Sequence, residues 1–257
     1  MDTSYEEERP MSSAADTVPV KVDIDRLAAE AVSRLGPPTK KLVSRLTPVA
    51  PIPGEGGREA MKRIPEMHID DFYVHEQRFT SFKLISAYAA MPFVSLKGDF
   101  AEFGVFKGRC ARFITQFVPK GRRFHLFDSF EGLPEAWAGA WAKGHFDLKG
   151  NVPKLDPEVC RVYKGWFKDT VPIFAQAHEN PLSFIHMDAD LYSSTIDVLY
   201  PINTLIVPGT IILFDEYVMN KEEDEHRALM DWAKEYDRSF EYLFKTRWVQ
   251  VAIRITK

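Results

Sequence analysis

The sequence is poor in cysteine: Cys110 and Cys160 are the only two in 257 residues. Two thiols cannot build a disulfide framework or a four-thiolate metal site. It also lacks an excess of either charge. Lys+Arg total 33 against Asp+Glu 37, a net charge of −4, so there is no basic surplus to suggest a nucleic-acid partner. Long apolar runs are missing as well. The longest, near 205–214, is interrupted by Pro208 and Gly209 and is too short for a membrane span. The acidic stretch from Met1 to Arg9 lacks the pattern of a signal peptide. These absences lead us to expect a cytoplasmic protein with no membrane partner. What is present is ordinary for a folded chain: 45 % hydrophobic, 13 % aromatic and 27 % charged residues, which excludes global disorder. The length suits one large domain, or one domain with an appendage.

Residues 1–20, with Glu6-Glu7-Glu8 and Ser12-Ser13, read as a disordered tail. Residues 21–78 read as a helical, linker and lid segment. A short helix is expected over 22–35, and Gly36-Pro37-Pro38 with Pro48, Pro51, Pro53, Gly54 and Gly56 then marks a loop or linker. Plain connection is its simpler reading. Residues 36–75 and 137–160 are the candidate lids, and the tail with helix 22–35 is a candidate homodimer contact. From residue 79 the pattern is regular. Phe79, Phe82, Ile85 and Ala89 share a helical face. Strands are expected at 99–103, 123–127, 161–163, 182–187 and 210–214. Helices are expected from near Gly108, over 168–177, over 193–206 with a break near Pro201, and over 222–236 with Leu229, Trp232, Ala233 and Tyr236 inward. Residues 131–158 are irregular. Strands at 240–245 and 248–254 read as a final hairpin. The alternation implies an α/β fold: a mainly parallel sheet with helices on both faces, and a terminal hairpin adding antiparallel strands at one edge. In such sheets ligands bind beyond the carboxyl ends of the strands.

Those ends carry the chemistry. The first reads Glu102-Phe103-Gly104-Val105-Phe106-Lys107-Gly108-Arg109. Its glycines permit close approach of a ligand, and free amides at the helix start, with Lys107 or Arg109, favour an anionic group. An ordinary strand–helix turn is the plain alternative, and the spacing is not GxGxxG. The second strand ends at Asp128-Ser129, where an acid takes ribose hydroxyls in nucleotide-binding sheets. The fourth ends in Asp188-Ala189-Asp190. If extended, it points both carboxylates to one side. The fifth ends in Asp215-Glu216. Adjacent strands would gather four carboxylates at one rim, which is costly without a cation. Oxygen donors without a Cys or His cluster suit Mg²⁺ or a similar hard ion. Capping and turn formation are the alternative for any one acid. His186 and His125, inside strands, read as hydrogen-bonded core histidines. His145 lies in the irregular loop. Trp137, Trp141, Phe146 and Trp166 either line a pocket or pack.

The segments EFGVFKG (102–108), FDSFEGLPE (127–135), KGWFKDTVP (164–172), HMDADLYSST (186–195) and PGTIILFDEY (208–217) resemble, in order, the macrocin O-methyltransferase family. That family includes the mycinamicin and novobiocin sugar O-methyltransferases, within the class I S-adenosylmethionine-dependent fold. The first 75 or so residues carry no matching segment. The resemblance implies a Rossmann-like seven-stranded domain over 79–257 and S-adenosylmethionine as cofactor. It places Glu102 and Gly104 beside the methionine end, with Phe106 and Arg109 in the same cofactor segment. Asp128 and Ser129 fall on the ribose, and Gly165 and Trp166 near the adenine. Asp188, Asp215 and Glu216 match the family's Mg²⁺ ligands, Asp188 also bordering the cofactor, and Asp190 matches its proposed general base. Glu216 stands where the family commonly has aspartate, and Cys110 where a hydroxyl residue is common.

The expected function is Mg²⁺-dependent transfer of a methyl group from S-adenosylmethionine to a hydroxyl of a sugar, glycoside or related polyhydroxylated small molecule. The alternatives are a catechol or phenolic acceptor, a non-catalytic binding module on the same fold, and a nicotinamide-dependent oxidoreductase. The missing GxGxxG and the acidic rim disfavour the last.

Overall fold

The computed structural model describes residues 46–67, 78–246 and 249–257. The tail, the helix expected over 22–35 and most of the proposed 36–75 lid lie outside the described residues. The described chain runs α1 (Gly57–Arg63), α2 (Arg78–Ala90), β1 (Asp99–Phe103), α3 (Arg109–Thr115), β2 (Phe124–Asp128), β3 (Cys160–Lys164), α4 (Phe167–Ala177), β4 (Leu182–Met187), α5 (Tyr192–Leu199), β5 (Ile211–Phe214), α6 (Asp224–Glu235), β6 (Phe240–Lys245) and β7 (Val251–Ile255).

The strands form one seven-stranded sheet in the order β3-β2-β1-β4-β5-β7-β6. β1 pairs in parallel with β2 and β4, β2 with β3, and β4 with β5. β1, β4 and β5 are buried along their whole length, as expected of strands covered on both faces. Val171 of α4, Val198 of α5 and Trp232 of α6 pack on one face. Tyr88 of α2 and Ile114 of α3 pack on the other.

Three sequence expectations need correction. β7 lies between β5 and β6 and is antiparallel to both. The closing hairpin therefore contributes one antiparallel strand, not two: β6, at the edge, runs with the parallel set. Second, α5 stops at Leu199 and gives way to turns rather than continuing as a broken helix: Tyr200 keeps helical angles (φ −68, ψ −51) and bonds back to Ile196, but Pro201 has no N–H to continue the ladder. Third, Tyr236 follows the last turn of α6 and is exposed, set edge-on against Tyr200, while Leu229, Trp232 and Ala233 are buried.

The described part of the Pro-rich segment does not cover the strand ends. Val49 exchanges backbone hydrogen bonds with Tyr242, while Lys245 N–H donates to Pro65 and Met67 N–H to Lys245. This segment shields the free edge of β6, which would otherwise present unpaired backbone groups. Among the described residues, no helix is long and apolar enough to cross a membrane.

Candidate active site

A cavity of about 770 Å³ opens beyond the carboxyl ends of β1 to β5. Gly104, Phe106, Asp128, Ser129, Gly165 and Trp166 line one part of it. Asp188, Asp190, Asp215 and Glu216 line another. The parallel strands bring these separate segments together because all five end at the same rim. Two expected cofactor residues do not line it. Glu102 is fully buried, with Oε1 3.0 Å from His186 Nδ1, and burial pushes its carboxyl up against the pull of His186. Arg109 lies at the start of α3 with its buried Nε unpartnered.

The glycine turn works differently from the sequence expectation. Gly104 has φ +94, and a Cβ there would sit 1.9 Å from the Asp188 carbonyl oxygen. Its first role is to let the end of β1 touch the end of β4. The amides beyond it are already engaged: Val105 and Phe106 N–H donate to Asp128 Oδ2 at 2.8 and 2.7 Å. The anion cradled by this loop is the chain's own Asp128. Phe130 N–H donates to Oδ1 at 2.6 Å. These bonds use three of roughly four lone-pair sites on the carboxylate. Asp128 thus shapes the loop and keeps limited capacity for a diol at the cavity wall. Ser129 Oγ accepts from Glu131 N–H at 3.0 Å, and Gly165 N–H donates to the Asp128 carbonyl at 3.0 Å.

On the other side, Asp188, Asp215 and Glu216 offer oxygens within 4.8 Å of one another. A cation already stands among them. Lys83 Nζ, from α2, donates to Asp188 Oδ2 at 2.7 Å. It also lies 2.6 Å from Asp215 Oδ2 and 3.9 Å from Glu216 Oε1. Burial alone would make this ammonium easier to discharge, but Asp188 and Glu216 outweigh it and hold Lys83 protonated. Burial raises Glu216 to about 8, with Lys83 opposing the rise and Asp188 adding to it. Asp215 Oδ1 and Glu216 Oε2 are buried without a hydrogen-bond partner. Three carboxylates with free lone pairs and no sulfur or imidazole donor fit a hard divalent ion.

Asp190 is not extended, so strand alternation is not what brings residues 188 and 190 to the same cavity. It has φ +62, and Leu191 N–H donates to the Ala189 carbonyl at 2.6 Å. This i→i+2 bond with positive φ is a strained γ-turn. The turn, rather than strand alternation, brings Asp190 to the cavity. Burial, then Glu216 and Asp188, push its carboxyl well above the usual range.

Lys83, Glu225 and Gln250 escaped the sequence reading. Lys83 had a signal: it is the one charged residue in the interior of an otherwise apolar and small-residue helix. Glu225 looked like the solvent face of a charged helix, yet it is fully buried. Its Oε2 accepts from Glu216 N–H at 3.1 Å and its Oε1 from Ala189 N–H at 3.4 Å. It therefore ties the β4 and β5 ends together. Gln250 reaches the cavity from the start of β7, a position visible only once β7 is placed beside β5.

The irregular 131–158 stretch walls the opening. Trp137 and Trp141 stack at 4.6 Å, and Phe106 meets Phe146 edge-on at 5.5 Å. All four border the cavity. His145 packs edge-on against Phe146, and its carbonyl accepts from Leu133 N–H. His186 remains a buried partner of Glu102.

A parallel sheet closed by one inserted antiparallel strand, with its cavity at the strand ends, is the class I methyltransferase fold. CalS11, a calicheamicin methyltransferase, superposes with a TM-score of 0.56 at 20 % identity, covering 95 % of this chain and 99 % of that one. The macrocin-O-methyltransferase (TylF) family profile matches residues 74–237, more than half of the chain, and the protein belongs to that family. The 8-demethyl-8-(2,3-dimethoxy-alpha-L-rhamnosyl)-tetracenomycin-C 4'-O-methyltransferase of Streptomyces olivaceus is 31 % identical over 161 residues, 54 % of this chain and 59 % of that protein. The demethyldecarbamoylnovobiocin O-methyltransferase of Streptomyces niveus is 29 % identical over 181 residues, 60 % of this chain and 68 % of that protein. The chain therefore spans about three-fifths of the length of the first relative.

Proposed function

We propose that this protein transfers the methyl group of S-adenosylmethionine to a hydroxyl of a sugar-bearing small molecule, with Mg²⁺ held by Asp188, Asp215 and Glu216. The observation that carries the reading is the continuity of one cavity from the Gly104–Asp128 wall to the carboxylate cluster. It gives a methyl donor and an acceptor a shared chamber. The names of the tetracenomycin and novobiocin relatives support O-methylation of a glycosylated natural product.

S-adenosylmethionine would supply an electrophilic methyl, and a divalent cation would supply positive charge that acidifies a nearby hydroxyl. The chain's own residues do the rest. Gly104, Asp128, Ser129, Gly165 and Trp166 bound the donor's end of the cavity. Asp190 takes the acceptor proton in its ionised form: burial makes that carboxylate a stronger base than usual, and the positive charge of a divalent ion nearby would favour its ionisation. Glu225 holds the two strand ends that present the ligating carboxylates. The carboxylates serve cation and proton rather than the sulfonium, which loses charge during transfer and gains nothing extra from a nearby anion. Trp141, stacked on the buried Trp137, offers an apolar face to an acceptor at the opening.

The direct test is incubation with methyl-labelled S-adenosylmethionine, a panel of glycosides and Mg²⁺. Label should appear on an acceptor hydroxyl, stop with a chelator and return with Mg²⁺. No transfer to any glycoside would sink the substrate class, and transfer indifferent to chelation would sink the metal role.

Lys83 yields a separate prediction. Its ammonium and a divalent ion compete for the same oxygens. Lys83→Met should lower the melting temperature of the cation-free protein, because it leaves like charges buried together. The same change should tighten Mg²⁺ binding in calorimetry by about tenfold or more, about 1.4 kcal/mol, because the Lys83 contact with buried Asp215 exceeds an exposed ion pair. An unchanged Mg²⁺ affinity would show that Lys83 does not compete.

A further inference from the structure

A second cluster of ligating atoms lies at the opposite end of β1 and β2, away from the cavity. Asp99 opens β1, His125 lies within β2, and His178 follows the last turn of α4. His178 Nε2 is 3.3 Å from Asp99 Oδ2, and His125 Nε2 is 3.6 Å from the same oxygen. All three ligating atoms lie within 4.8 Å of one another. None of the three residues lines the cavity.

We propose that Asp99, His125 and His178 form a metal site for an imidazole-preferring divalent ion of the zinc class, distinct from the carboxylate cluster.

The separations support it. Tetrahedral bonds of 2.0–2.1 Å place neighbouring donors about 3.3 Å apart, close to the two spacings seen here. The donors are poorly served without an ion. Both histidine Nε2 atoms are buried with no hydrogen-bond partner, and His125 is only 5 % exposed. Burial is the largest influence on both rings and lowers their pKa, that of His125 to about 4.

The surroundings hold the donors in place. His125 Nδ1 lies 3.1 Å from the Tyr163 hydroxyl, the outer contact that typically fixes a ligating imidazole. Phe174 stacks on the His178 ring at 4.6 Å and contacts His125 at 4.8 Å. Asp99 Oδ1 accepts from Arg123 N–H at 3.1 Å, and Oδ2 from Asn180 Nδ2 at 3.2 Å. His178 is the most open of the three, with 14 % of its side chain exposed, which gives an ion a route in and leaves a fourth position for water. Two imidazoles and one carboxylate select against Mg²⁺ and for zinc, cobalt or nickel. An ion there would clamp β1, β2 and the end of α4 and act on stability rather than on chemistry.

The test uses the full chain stripped by chelation and held in millimolar Mg²⁺, so that the carboxylate cluster is not the zinc acceptor. Zn²⁺ alone is titrated against a chromophoric chelator. One equivalent should bind, with a rise in melting temperature. His178→Ala should weaken it by about 100-fold or more, beyond the 10–100-fold typical of losing an outer-shell partner. Asp215→Asn should leave it intact. X-ray absorption of the zinc-loaded wild type, which needs no variant to fold, should show two imidazoles among the scatterers. Zinc binding unaffected by His178→Ala, loss of the equivalent in Asp215→Asn, or an all-oxygen shell would each overturn the site and leave a hydrogen-bonded anchor.

Discussion

Gly104→Ala should destabilise the protein by about 3 kcal/mol or more, and should also disable the carboxylate cluster. The reason is local and specific. The added methyl would stand 1.9 Å from the Asp188 carbonyl oxygen, and the backbone at φ +94 already excludes most side chains. The chain cannot step aside cheaply. Gly104 N–H donates to the Phe127 carbonyl at 3.0 Å, and Asp188 N–H donates to Phe103 at 2.9 Å. Phe103 and Met187 are paired in register one residue earlier. Relief must come from parting the ends of β1 and β4, which displaces Asp188 from Asp215 and Lys83. Gly121→Ala is the control: its φ is +80, but no atom lies within 4 Å of the added Cβ. It should cost about 1 kcal/mol, the conformational part alone. Urea unfolding of both variants measures the difference, and Mg²⁺ calorimetry on Gly104→Ala measures the second effect. Equal losses in the two variants would show that the contact with Asp188 is not what selects glycine.

The contrast between these glycines shows where sequence reading stops. The turn at Gly104 was legible from its place after a strand, but its purpose was not. A ligand approaching the backbone and a neighbouring strand approaching it leave the same residue in the sequence. Asp128 is similar: its position after β2 was plain, whereas its hold on the Val105 and Phe106 amides depends on how the turn folds back. Strand interiors were the easiest to read, because burial on both faces forces continuous apolar runs. Strand order at the far edge was not, since nothing local to 240–245 or 251–255 distinguishes an appended hairpin from one whose second strand inserts beside β5. Lys83 shows a third limit. A lone lysine in an apolar helix signals that a partner exists, but the three acids it meets are more than 100 residues away in sequence.

Asp190→Asn should reduce methyl transfer by about 10²- to 10⁴-fold, the range for loss of a positioned general base. Folding should be untouched. Asparagine is nearly isosteric and is among the residues that best accept a positive φ, so the γ-turn at φ +62 survives the change. Stability should hold or rise. Burial, with Glu216 and Asp188 nearby, makes the ionised carboxylate costly there, and a neutral amide removes that cost. Binding of S-adenosylhomocysteine should change by only a few-fold, because the Gly104–Asp128 wall is formed by other strand ends. These outcomes separate a proton-accepting role from a structural one. A residue needed only for its turn would lose stability in Asp190→Ala, where the polar side chain is gone, yet keep its rate in Asp190→Asn. A base also loses stability in Asp190→Ala, since alanine is strained at φ +62, but it loses its rate in Asp190→Asn, and that rate is what separates the two roles. Transfer within tenfold of wild type in Asp190→Asn would remove it from the proton path. The acceptor proton would then have to leave to Asp188 or Glu216, the other carboxyls bordering the cavity whose charge Asp190 shares.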